Sequence, residues 1–181
     1  MLIRLLACFW IVLPGSATAQ QASGASDFDW EFGRWTTHVE VRAPLDPNAS
    51  WSLFDGVSDI RPLSEGRANI VDLSLTGAQG GRIEGVSLRL FHPDSGQWSL
   101  HFASTKDGVL TAPVFGAFVG GRGVFHGQDT VAGRAVLVRF VISDATPTSA
   151  RFVQSYSDDG GQTWIDNWIA SDVRQEAPAA E

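Results

Sequence analysis

Ile83-Glu84-Gly85-Val86-Ser87-Leu88-Arg89-Leu90-Phe91-His92 and Gln97-Trp98-Ser99-Leu100-His101-Phe102-Ala103-Ser104 flank Pro93-Asp94-Ser95-Gly96, and this stretch decides the fold. Proline presets φ, aspartate bonds back to its own backbone, and glycine accepts a positive φ, so the tetrapeptide reads as a tight turn. On both sides apolar and polar residues alternate with period 2, the pattern of β-strands and not of helices. The unit is a strand, a turn and a returning strand.

Working outward, the same alternation recurs at Arg34 to Arg42, Trp51 to Ser58 and Arg67 to Leu75 before it. Beyond it come Val114 to Val119, Gly123 to His126, Ala135 to Ile142, Ala150 to Ser157 and Thr163 to Asp172. Turn residues separate them: Pro44 to Asn48, Gly77 to Gly81, Lys106 to Gly108, and Gly120-Gly121. No segment carries a helical period long enough for a crossover, so neighbouring strands are antiparallel. The expectation is an all-β, antiparallel up-and-down barrel of about ten strands, one domain over residues 28–174, with a flexible lead at 20–27 and a disordered tail at 175–181.

The first nineteen residues read differently. Arg4 precedes the apolar Leu5 to Leu13, Pro14-Gly15 breaks the run, and Ala17-Thr18-Ala19 offers small residues for cleavage. This is the order of a signal peptide cleaved near Ala19, which predicts a periplasmic or secreted protein. The apolar run is too short to span a bilayer, so no membrane anchor is expected. Leu5-Leu6-Ala7-Cys8 has the form of a lipobox but stands too early in the segment to act as one. Cleavage would remove Cys8, the single cysteine, and with it any disulfide or thiolate metal site. The formal net charge of −7 over 181 residues argues against nucleic acid as a partner.

Gly33-Arg34-Trp35, following the aromatics Phe28, Trp30 and Phe32, resembles the opening of lipocalin/calycin barrels. That resemblance implies structural roles for Gly33 at a tight strand entry, for Trp35 plugging the closed end, and for Arg174 stacking across the tryptophan. Ser157-x-Asp159-x-Gly161-x-Thr163-Trp164 matches the Asp-box of sialidases, a rigid hairpin turn in which the acid bonds backbone N–H groups. One copy is not a propeller, so these residues too are structural. Over its whole expected mature length the chain resembles an uncharacterised family of secreted bacterial proteins with calycin-like barrels, carried by Asp27 to Trp35, Gly85 to Phe91, Gly96-Gln97-Trp98 and Gln154 to Trp168. The resemblance implies a fold and brings no catalytic residues.

Barrels of this type bind ligands inside, which directs attention to polar side chains within apolar strands. The candidate ligand-binding residues are Arg89, His101, Arg139, Gln154, Tyr156, Asn167 and Trp168. If Arg89 and Arg139 both point inward, they form a floor suited to an anionic group. Apolar residues on both faces of these strands leave inward and outward readings open. His38, His92, His101 and His126 show no metal-ligand spacing, so neither a metal nor another cofactor is expected. Three functions fit: binding of a small hydrophobic or amphiphilic molecule, an anionic one by the arginine reading; an isomerase, cyclase or hydratase using Arg89, His101, Arg139 and Tyr156; and a filled structural or interaction module. The state of the interior separates them.

Overall fold

A computed structural model describes residues 24–176. The segment expected to be a signal peptide, the first part of the lead and the end of the tail lie outside the described residues. Ten strands form: β1 Gly33–Val41, β2 Ser52–Leu63, β3 Ala68–Gly77, β4 Arg82–His92, β5 Gln97–Ser104, β6 Val114–Val119, β7 Arg122–Val131, β8 Arg134–Ser143, β9 Ser149–Ser157 and β10 Ile165–Arg174. Each pairs antiparallel with its sequence neighbours, and β1 pairs with β10 from Trp35↔Arg174 to Val41↔Trp168, closing the ring. The up-and-down barrel is as expected, with ten strands where lipocalins use eight.

Two strands run further than their apolar patterns suggest. β2 continues from Ser58 to Leu63 through Pro62, which lies beyond the last β1 partner, Ile60, so its missing N–H costs no ladder bond on that side. β7 continues past His126 through Gly127-Gln128-Asp129-Thr130, all paired with β8. These polar residues break the hydrophobic period because Gln128 and Asp129 border a cavity.

The closed end is sealed by a short 3₁₀ turn, Asp29–Glu31, which carries Phe28 and Glu31 into the barrel. Phe28 is fully buried, its ring centroid 4.9 Å from that of Trp98 and 5.1 Å from that of Phe118. The lead is docked rather than free from Gly24 onward: Gly24 O accepts from Trp98 Nε1 at 2.9 Å, and Ala25 packs against the core. At the other terminus, Gln175 N donates to Arg34 O at 2.9 Å, extending the seam by one residue.

Trp35 and Arg174 meet as the resemblance implied. The guanidinium lies 4.2 Å from the Trp35 ring centroid and donates to the carbonyls of Trp30, Phe32 (2.7 Å) and Pro147 (2.6 Å). Trp35 Nε1 donates to Glu31 O at 2.7 Å, so plug, first strand and last strand are locked together. Gly33 sits at φ +125°, and a Cβ there would come within 2.8 Å of Arg174 Nη1. Backbone conformation and space both call for glycine.

The Asp-box forms the β9–β10 hairpin. Asp159 accepts from the backbone N–H of Gln162 (2.9 Å) and Thr163 (3.0 Å) and from Thr163 Oγ1 (2.6 Å). Ser157 Oγ accepts from Gly161 N at 2.8 Å, and Trp164 Nε1 donates to Gly161 O at 3.0 Å. These donors, led by Thr163, hold the Asp159 carboxyl far below the usual carboxylate range. Asp159→Ala is therefore expected to lower the melting temperature by several degrees at neutral pH while leaving the lumen intact. The Asp159 contribution should vanish only in strong acid, as pH falls through the depressed pKa. Equal melting of variant and wild type at pH 7 would contradict the structural role.

Candidate functional site

The barrel is not filled. A cavity of about 380 Å³ runs from a polar floor at the plug to a mouth at the opposite end. Val39, Val71, Leu73, Leu100, Phe140 and Phe152 supply its apolar wall. On β1, β3, β4, β8, β9 and β10 the lining residues follow the period-2 rule, whereas β5 contributes the consecutive Leu100, His101 and Phe102 and β7 the consecutive Gln128 and Asp129.

Arg89 is one of the inward residues and stands on the floor, between the plug and β3. It does not offer a free positive charge. Both guanidinium Nη atoms donate to Glu31, Nη2 to Oε1 at 3.2 Å, and the guanidinium carbon lies 4.3 Å from the Phe28 ring centroid. The two side chains are only 5% and 6% exposed, so each charge is met mainly by the other, while Arg89 Nε is left without a hydrogen-bond partner.

Beside this pair lies Asp172 of β10, also nearly buried. Its Oδ1 accepts from Thr37 Oγ1, and the Thr37 and Ser58 hydroxyls are 2.7 Å apart. Burial, reinforced by the nearby Glu31 carboxylate, raises the Asp172 pKa to about 7, against the opposing pull of Thr37 and Arg89. The folded state then keeps this proton from about pH 4 to about pH 7 while the unfolded state has lost it, so stability falls as pH rises through that window. Asp172→Asn is expected to remove this slope. The variant should be more stable than wild type by about 2–4 kcal/mol near pH 8.5 and by little near pH 4. Urea titrations at the two pH values measure it; a gap independent of pH would refute the assignment.

The mouth is polar as well. Tyr156 donates to Asp129 Oδ2 at 3.0 Å, and burial together with that carboxylate drives the phenol pKa strongly upward. Gln154 Nε2 lies 3.3 Å from Asn167 Oδ1. Asn167 reaches this position through a bulge: Asp166 pairs with Ser155 and Trp168 with Gln154, leaving Asn167 as the extra residue. The irregularity turns Asn167 toward Gln154 while Trp168 keeps its inward place. Leu45, in the β1–β2 connection, packs against the rim cluster of Val136, Val138 and Tyr156 at φ +63°. β5 and β6 pair only from Trp98↔Gly116 to Leu100↔Val114, and Thr111 patches the parted wall by bonding Phe102 N and O.

Of the expected ligand residues, Arg89, Gln154, Tyr156 and Trp168 line the cavity, and Asn167 bonds Gln154 at its edge. Arg139 does not belong to the site. Val138 and Phe140 take the inward positions on β8, and Arg139 stacks outside on Trp164, 4.4 Å from its ring centroid. His101 pairs with Leu88 on the alternate face to Leu100 and Phe102 and borders the cavity from within the wall. The two-arginine floor is thus replaced by one arginine already neutralised. Glu31, Asp129 and Asp172 were missed. Asp172 carried a readable signal, since it continues the period-2 face of Trp168 and Ala170. Among the described residues no group of three or more His, Cys, Asp or Glu is placed to hold a metal ion, and no helix is long and apolar enough to cross a membrane.

No family model and no curated protein matches the chain. Solved structures do share the fold. The S-type phycobiliprotein lyase CPES from Guillardia theta superposes with a TM-score of 0.59 at 14% identity, over 83% of this chain and 92% of that one. A protein solved bound to DFHBI, mFAP2b, gives 0.46 at 13% identity over 84% and 100%. A de novo designed fluorescence-activating β-barrel gives 0.44 at 11% identity over 81% and 95%. At these identities the first likeness establishes barrel architecture, and the site must be argued from its own residues.

A larger groove of about 920 Å³ lies outside the closed end, bordered by Trp30, Phe118, Gly120, Gly121 and Thr146. Its arginine, Arg174, is committed to backbone carbonyls, so this groove has the weaker chemistry of the two.

Proposed function

We propose that this protein is an exported barrel that binds one small molecule with a largely apolar body and a hydrogen-bonding head. The observation carrying this reading is the cavity of about 380 Å³, whose apolar wall ends on the buried polar floor of Glu31, Arg89, Asp172, Thr37 and Ser58. Its size falls in the range of small-ligand sites, and its few convergent polar groups supply orientation. A fatty-acid-like anion, suggested by two inward arginines, loses its support once Arg89 is paired and Arg139 is outside. The enzymatic alternative loses Arg139 from its charge-stabilising set, because that side chain stacks outside on Trp164. Lipocalin-like carriage also suits a segment built like a signal peptide, Arg4 through Ala19.

Native mass spectrometry of protein isolated from its own host tests the binding reading, together with thermal shift against a panel of neutral apolar probes. A co-purifying small molecule or a melting rise of several degrees supports it; an empty protein that no probe stabilises overturns it. Export is tested separately by N-terminal sequencing, where Gln20 is the expected first residue and an intact Met1 or a lipidated Cys8 the contrary result.

A further inference from the structure

The floor of the cavity has an acceptor without a cation. Arg89 engages Glu31 through both Nη atoms while its Nε is left without a partner, and Asp172 makes no salt bridge among the described residues. Its Oδ1 receives Thr37 Oγ1, while Oδ2 has no hydrogen-bond donor among the described residues, and the residue lines the cavity. Along the lumen the titratable lining groups are Glu31, Asp129 and Asp172 against Arg89 and His101, so the interior is acidic on balance. Above about pH 7 an entering carboxylate would meet like charge from Asp172 on the floor and from Asp129 at the mouth, with the Arg89 charge already engaged by Glu31.

Resting on the binding reading above, we propose that the lumen selects cationic amphiphiles, organic amines whose ammonium group seats on Asp172 while the apolar body lies along Val39, Leu73, Phe140 and Phe152. An ammonium supplies the donors that Oδ2 lacks and neutralises the floor without disturbing the Glu31–Arg89 pair. A charge-assisted hydrogen bond in a water-poor site is about twice as strong as a neutral one, so an amine should outbind its alcohol by about tenfold. The groups facing Asp172 are Glu31 from the plug, Arg89 from β4, Thr37 from β1 and Ser58 from β2. Because burial pushes the Asp172 pKa up to about 7, amine affinity should rise between about pH 5.5 and pH 8.5 as its proton leaves.

The test uses octylamine, octanol and octanoate as a matched series, titrated calorimetrically into the purified protein at both pH values. The same series is run with Asp172→Asn and Asp129→Asn. Expected is the order amine, alcohol, carboxylate, with the amine preference and its pH slope lost in Asp172→Asn and retained in Asp129→Asn. Equal affinities, a preference for octanoate, or loss of the amine preference only in Asp129→Asn overturns the charge selection and leaves the binding reading standing. If none of the three binds while the host-purified protein carries an uncharged or anionic molecule, the amine inference fails alone. If that protein is also empty, both fail. Circular dichroism of each variant confirms folding, and since Asn preserves the shape of Asp172 and still accepts from Thr37, a folded variant is expected.

Discussion

Arg89→Leu is expected to destabilise the protein by about 3–5 kcal/mol, because it leaves the Glu31 carboxylate buried with no cation. Glu31 is held by the plug and cannot swing to solvent: Trp35 Nε1 bonds its carbonyl, and Phe28 anchors the same turn in the aromatic cluster. Leucine would fill part of the arginine's volume, so a packing defect is the smaller component. The double variant Glu31→Leu/Arg89→Leu separates the two causes. Removing both charges should recover most of the loss, since a buried ion pair gains little over apolar residues of similar shape. Urea denaturation followed by tryptophan fluorescence measures all three proteins. If the double variant is no more stable than Arg89→Leu, the cost lies in packing and the buried pair is not what holds the floor.

Phe28→Ala should cost a comparable amount, about 3–5 kcal/mol, the range for deleting a fully buried phenyl ring. The ring is the keystone between Trp98, Phe118 and Phe125 on one side and the Arg89 guanidinium on the other. Its loss removes the surface on which Arg89 rests and opens the plug toward the groove outside the closed end. Chemical denaturation gives the stability change. Added benzene offers a second measurement, since a ligand that refills the hole should restore part of the melting temperature. Near-wild-type stability would mean that the cluster closes up without the ring, and that the plug is held by the Trp35–Arg174 contacts instead.

How much of this was legible follows from what alternation does and does not encode. Period 2 located all ten strands, and the antiparallel order followed because no crossover helix interrupts them. Gly33, Trp35 and Arg174 could be placed because their roles are local to a closed end. The floor could not, because it is made by one residue from each of several distant segments. Glu31 stands in a turn amid aromatics, and nothing nearby in sequence announces that its partner is Arg89, 58 positions away. Arg139 and Arg89 were indistinguishable in pattern, each flanked by apolar residues. Only closure of the ring, with Val138 and Phe140 inside, decides between them. Asn167 meets Gln154 by way of a bulge that strict alternation does not foresee.

The β1–β10 seam has a consequence for assembly. Trp35 must find Arg174, so the contact that completes the ring joins nearly the two extremes of the folded domain. Loop closure on that scale is slow compared with zipping any one hairpin. Asp172 and Trp168 travel on the last strand, whereas Thr37 and Val39 travel on the first, so the pocket does not exist until the final residues have arrived. A chain interrupted before Ile165 would present two open sheet edges and half a floor. Conversely, because β1 begins where β10 ends, a linker from Gln175 to Gly24 could join the described ends and the chain be reopened at the Pro93–Gly96 turn with every ladder preserved. Such a permutant would carry the present seam inside a hairpin and should fold faster than the natural order.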